Sequence, residues 1–244
     1  MKLIFTLLGF LLLGCASQPK PSKSKEQSII DAAIKTHGGD QYQSAKIGFE
    51  FRERSFTLEH EAGRFIYTSE QEKDGRTIRS VLDNDDFRRT VDGSAVELSE
   101  KDKIRFGNSV NSVIYFALLP YRLNDPAARK TYKGNTKING QSYEAVEVRF
   151  TEQGGGTDHD DVFMYWVNTQ TKTVDYLAYI FHVNKGGVRF RKAYNPRMVD
   201  GIRFQDYENY KADIDTPLEQ LPALYETGNL ELLSKIELEN IRSL

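Results

Sequence analysis

"VFMYWVNTQTKTVDYLAYIFHV", Val162 to Val183, is the stretch on which the fold turns. Two apolar runs of strand length flank the polar link "TQTK". On an extended chain Val162, Met164 and Trp166 share one side, and Phe163, Tyr165 and Val167 the other. An antiparallel strand with one wet face alternates apolar with polar residues. Neither side is polar here, so this part of the sheet is expected to be covered on both faces, with one cover a candidate for a ligand.

Outward from this centre the period stays near two. "VRFRKAY" (188–194) and "IRFQDYENY" (202–210) follow as strands, joined by "NKGG" and "VDG". Before it, "TYKGNTKI" (131–138) and "SYEAVEVRF" (142–150) flank Asn139-Gly140, a two-residue hairpin signal. Ile47, Phe49 and Phe51 alternate with Gly48, Glu50 and Arg52, and "RFIYTSE", "TIRSVLD", "FRRTV" and "AVELS" read as short strands. Asp92-Gly93 turns between the last two. "LLSKIELENI" (232–241) reads as one final strand, after a short helix near "LEQLPALYE".

Helical periodicity is confined to few places. "SIIDAAIKTHGG" (28–39) places Ile29, Ile30, Ala33 and Ile34 on one stripe, with Ser28 to cap it and Gly38-Gly39 to stop it. His37 falls in the last turn, where a helix C-terminus favours a cation. Residues 108–130 break the strand pattern. They predict a helix over 109–118, apolar nearly all round, then an interruption at Pro120 and a second short helix opened by Asp125-Pro126. About a dozen strands with regular turns make a β-rich α+β fold: a strongly curved open antiparallel β-barrel with an N-terminal helix and a helical lid.

The N-terminus carries a different signal. "MKLIFTLLGFLLLG" (1–14) is one lysine followed by an apolar run, the pattern of a signal peptide. "LLGC" ends it and resembles a bacterial lipobox, which implies cleavage after Gly14 and acylation of Cys15, the sole cysteine of the chain. Two or more acyl chains hold a protein on a membrane, at about 0.8 kcal/mol per buried methylene. Residues 15–27, rich in Ser, Pro, Lys and Gln, read as a lipidated flexible tether, and 28–244 as a single β-rich domain. The membrane is therefore an expected partner through Cys15. A net charge of −2 gives no nucleic-acid footprint.

Chemistry-bearing patterns are sparse. "EQGGGTDHDD" (152–161) sets Asp158, His159, Asp160 and Asp161 on a glycine-rich loop. Oxygen and imidazole ligands can hold calcium or zinc, but adjacent residues on an extended chain point alternately to opposite sides. A turn is the first reading and a metal site the second. There is no Gly-x-Ser-x-Gly elbow, Walker A loop or Gly-x-Gly-x-x-Gly fingerprint, so no catalytic residue and no cofactor is assigned. Arg189 and Arg191 share one face of their strand, with Arg203 on the next. They form a candidate ladder for an anionic head group, or a solvated face paired with Asp175, Asp206 or Glu208.

Two blocks, 107–134 and 154–210, resemble an uncharacterised family of lipoproteins from Bacteroidota. The layout is also similar to the LolA and LolB type, in which a curved sheet and helical lid enclose an apolar cavity for acylated lipoproteins. Strands apolar on both faces beside an apolar helix, together with the lipobox, make the leading expectation a non-enzymatic, membrane-anchored lipoprotein of the cell envelope, on the outer membrane facing the periplasm. It would hold a lipid, acyl or lipoprotein ligand between the sheet and the 109–121 helix. The expected cavity residues are Ile114, Phe116, Leu118, Leu119, Tyr121, Trp166, Tyr176 and Tyr179. The alternatives are a metal-dependent enzyme or metal-binding protein using residues 154–161 and a structural envelope lipoprotein that docks to protein partners.

Overall fold

A computed structural model describes residues 23–153, 160–182 and 186–244. Helix α1 (Lys25–His37) comes first. Strands β1 (Lys46–Phe51), β2 (Arg54–Glu61), β3 (Arg64–Lys73), β4 (Arg76–Asp83), β5 (Phe87–Val91) and β6 (Ser94–Ala95) then form an antiparallel meander. Helix α2 (Glu100–Ala117) crosses to a second meander: β7 (Ala128–Ile138), β8 (Gln141–Phe150), β9 (Val162–Asn168), β10 (Val174–Phe181), β11 (Gly187–Val199) and β12 (Ile202–Ala212). Helix α3 (Leu221–Glu226) precedes β13 (Glu231–Ile236) and β14 (Glu239–Ser243).

The β-rich α+β class is as expected, and the sheet organisation is more specific. β14 joins the first meander beside β1, and β13 joins the second beside β12. Each sheet therefore has seven strands, and neither closes on itself: β6 and β14 are the edges of one, β7 and β13 of the other. The expected single strand over 232–241 is a correction. Glu237 and Leu238 break it, and its halves belong to different sheets.

The hairpins form where turn chemistry dictates. Asn139 and Gly140 take φ of +48° and +76°, and Asp92 and Gly93 take +49° and +77°, the left-handed pair that a tight two-residue hairpin needs. β2 was not legible, because its turn uses Arg52 and Glu53 at φ +49° and +60°, residues that carry no turn signature.

The helices depart from the reading in three ways. α1 starts at Lys25, inside the expected tether, because the Ser24 side chain accepts the Gln27 N–H and caps it. α2 starts nine residues before 109: Ser99 caps it by accepting the Asp102 N–H at 3.2 Å, so "AVELS" is a strand only at Ala95. The helix is amphipathic, burying Gly107, Val110, Ile114 and Ala117. No helix follows Asp125; a 3₁₀ turn, Tyr121–Asn124, precedes it, and Ala128 already begins β7.

Every described residue of β9 is buried, as its apolar faces require, and protein covers both sides. Tyr165 and Val167 pack with Ile29, Ile30 and Ala33 of α1 and with Leu119 and Leu123. Met164 and Trp166 pack with Phe190 and with Leu218 and Leu221 at the α3 end. The expectation of a ligand on a face of this strand is thereby corrected. A third cluster joins α2 to the first sheet and to Ile202 and Phe204 of β12, so both sheets share one interior.

Candidate functional site

Open space lies between the C-terminal half of α2 and the place where the two sheets meet. Four residues of α2 form one wall: Ser112, Val113, Phe116 and Ala117. They fall on neighbouring turns, so one face of the helix presents them together. Phe51 and Arg52 close one end. Arg191 of β11 with Gln205 and Tyr207 of β12 form the floor, and Ile236 of β13 with Leu238 of the link to β14 form the far wall. The cleft encloses about 250 Å³ and opens to one side.

Arg191 dominates its electrostatics. The residue is 8% exposed. Its Nη2 donates to the Tyr179 hydroxyl at 2.8 Å, and the guanidinium lies 4.2 Å from the Phe116 ring centre and 5.1 Å from that of Tyr179. Its Nε–H is buried and has no acceptor among the described residues. Two rings stabilise a desolvated cation by about 0.5–2 kcal/mol each, but a paired carboxylate is the usual partner of a buried guanidinium. The carboxylates that could have paired with it are committed elsewhere. Asp206 accepts from Arg197, Glu208 from Lys192, and Asp175 from Tyr143, Asn168 and Thr173.

Beside it, Gln205 Nε2 donates to the Val174 carbonyl and to the Tyr207 hydroxyl, both at 2.9 Å. Burial pushes the Tyr207 phenol up from its ordinary value, so it stays a neutral donor.

The structure sorts the expected cavity residues by face. Phe116 lines the cleft, and Tyr179 touches it through Arg191. Ile114, Leu118 and Tyr121 belong to the interior shared with the first sheet, where Tyr121 stacks on Tyr42 at 4.6 Å. Leu119 packs with α1. Trp166 and Tyr176 lie on the opposite face of the second sheet, against Phe190 and, for Tyr176, Tyr225. They cannot share a cavity with α2, because odd and even positions of a strand point to opposite sides. Val113, Tyr207, Ile236 and Leu238 were among the lining residues missed; no local pattern links an α2 turn to the C-terminal strands.

The arginine ladder does not assemble. Arg189 lies 4.9 Å from the Phe181 ring centre, and Arg203 donates to Gln205 Oε1 at 3.3 Å. Only Arg191 of the three lines the cleft. In the candidate metal loop, Asp158 and His159 lie outside the described residues, as does the lipidation candidate Cys15. Asp160 is exposed, and Asp161 is buried and accepts the His182 N–H at 3.3 Å. Among the described residues no cluster of three potential metal ligands forms, and no helix is long and apolar enough to cross a membrane.

Comparison with known proteins places these features on a recognised scaffold. A LolA superfamily protein from Nitrosomonas europaea superposes with a TM-score of 0.50 at 11% identity, covering 91% of this chain and 94% of that one. A DUF1329 family protein from Desulfovibrio piger covers the same shares at 12% identity and a TM-score of 0.44. A putative outer membrane lipoprotein-sorting protein domain from Vibrio parahaemolyticus gives 9% identity and a TM-score of 0.34 over 82% of this chain and 99% of its own. The first of these shows the fold to be of the LolA type. No curated protein matches at a significant level. A family model described as a family of unknown function, DUF6503, matches residues 2–238.

Proposed function

We propose a function for this chain, which belongs to the DUF6503 family, from its cleft and its fold: it is a non-enzymatic envelope lipoprotein that binds an acyl chain between α2 and the two sheets. The single observation that carries the proposal is the cleft itself, a space of about 250 Å³ between α2 and the sheets. Phe51, Val113, Phe116, Ala117, Ile236 and Leu238 line it with apolar surface, and burying a ligand methylene against such surface is worth about 0.8 kcal/mol. In this reading the two sheets are the halves of an open barrel around the ligand, and α2 is the lid.

Residues 1–14 would be removed, Cys15 acylated, and the residues up to Ser24 would tether the fold to the membrane, on the periplasmic face of the outer membrane. The lipobox resemblance and the apolar leader support this placement, and the LolA-type scaffold supports an acyl ligand.

Native mass spectrometry of the whole chain after exposure to envelope lipids tests the binding. A mass increment that matches a lipid and is lost on solvent extraction is the expected result; a bare polypeptide mass would remove the proposal. Val113 is half-buried and faces the cleft, so Val113→Asp should leave the melting temperature within a few degrees and weaken binding roughly tenfold, about 1.4 kcal/mol. Leu118, fully packed in the interior, is unsuitable for that test, since a charge there would unfold the protein.

A further inference from the structure

We infer that the cleft selects an anionic single-chain amphiphile, a long-chain carboxylate, and that Arg191 is the residue that receives its head group. This rests on the acyl-binding reading and names the class of ligand within it.

Three observations carry it. Arg191 is a buried cation whose Nε–H has no acceptor among the described residues, in a cleft whose walls are mostly apolar. A buried guanidinium without an anion is costly, and a side chain whose Nη2 is already held by Tyr179 cannot swing out to water without giving up that bond and two ring contacts. The site therefore holds in place, at the cleft wall, a cation that no carboxylate among the described residues neutralises. Tyr207 adds a second donor: its oxygen accepts from Gln205, which leaves its own hydrogen free to give. It lies two residues from Asn209, the cross-strand partner of Arg191, so it stands diagonally across from Arg191 on the same sheet face.

The third observation is size. About 250 Å³ lies just below the roughly 300–1,000 Å³ usual for ligand cavities. That is room for one chain rather than the several of a triacylated protein. A carboxylate on Arg191 would place its chain along Phe116, Val113 and Leu238 toward Phe51. A neutral lipid would fill the same wall but leave the guanidinium unpaired, and a cationic amphiphile would be repelled.

Calorimetry on the whole chain in phosphatidylcholine nanodiscs, with empty nanodiscs as the blank, decides the matter. The probes are laurate, dodecyl sulfate, dodecanol and dodecyltrimethylammonium. The expected result is laurate at least tenfold tighter than dodecanol, with no binding of the cation. Arg191→Met, which keeps the apolar stem and removes the charge, should abolish that preference while dodecanol still binds, and Tyr207→Phe should reduce it in part. A preference for dodecyl sulfate over laurate would identify a sulfate or phosphate head and overturn the carboxylate assignment. Equal affinity for laurate and dodecanol in the wild type would overturn the inference and leave the acyl-binding cleft standing. Binding of none of the four would remove the cleft reading and this inference together. If Arg191→Met fails to fold, Arg191→Gln, which keeps a donor for Tyr179 but not the charge, takes its place: loss of the laurate preference is expected, and a retained preference would overturn the assignment to Arg191.

Discussion

His37 shows how a position can be read correctly and its charge state wrongly. It does sit in the last turn of α1, where the helix dipole favours a cation. It is also completely buried, and burial, with the Arg203 charge nearby, lowers its pKa from 6.5 to about 3. Its Nε2 accepts the Val174 N–H at 3.1 Å, so the ring is neutral with its proton on Nδ1. Desolvation outweighs the dipole because the dipole contributes at most about 2 kcal/mol. The stability consequence has a definite sign. Between pH 6.5 and about 3 the unfolded chain binds a proton at this site and the folded chain does not, so stability is complete above pH 6.5 and falls with acidification through that window. The loss attributable to His37 is on the order of 5 kcal/mol. His37→Gln, which keeps an acceptor for Val174, should show a distinctly flatter decline in urea-unfolding stability over the same range. An unchanged slope would mean that other groups govern acid unfolding.

At the scale of elements, capping decided what periodicity left open. The apolar stripe of α1 is plain from Ile29 onward, but its start is set by Ser24, three residues before Gln27, the spacing of a capping box. That signal stands in the sequence and was outweighed by the linker-like composition around it. α2 behaves the same way: Ser99 and Asp102 supply its start, where "AVELS" reads as strand. Ser99→Ala should therefore cost about 1 kcal/mol and raise amide exchange in residues 100–103, because an orphaned N-terminal N–H is left to solvent. At Gly107 of the same helix a side-chain carbon would meet Leu82 at 3.5 Å and Phe87 at 3.6 Å, ordinary contact distances, so the packing of α2 on the first sheet leaves room for an alanine there.

For the whole molecule the β13–β14 segment is the joint, since its two strands complete different sheets and Leu238 between them forms part of the cleft wall. Asp206, 2% exposed, pins it: the carboxylate accepts the Leu238 N–H at 3.0 Å, Arg197 Nη2 at 2.8 Å and Asn195 Nδ2 at 2.7 Å. Asp206→Ala leaves Arg197 without its anion and the β13–β14 link without its clamp. A loss of about 3–5 kcal/mol in urea unfolding is expected, together with weaker acyl binding at temperatures where the variant is still folded. Retained stability would show that edge pairing alone holds the sheets together.

What the sequence determined by itself is local. Alternation set most strands, Asn139-Gly140 and Asp92-Gly93 set their hairpins, and the doubly apolar run at Val162–Val167 required a strand buried on both faces, as β9 is. The candidate site was legible only in pieces, Phe116 on α2 and Arg191 on its strand. Tertiary structure alone decided that Trp166 and Tyr176 turn away from α2 toward α3, that the last strand divides between two sheets, and that Arg191 Nε finds no acceptor among the described residues. The reason is physical. Periodicity and turn chemistry act over a few residues of backbone, whereas which face meets which cover, and which charge finds a partner, depend on contacts between segments more than a hundred residues apart, as Phe51 and Leu238 are across the cleft.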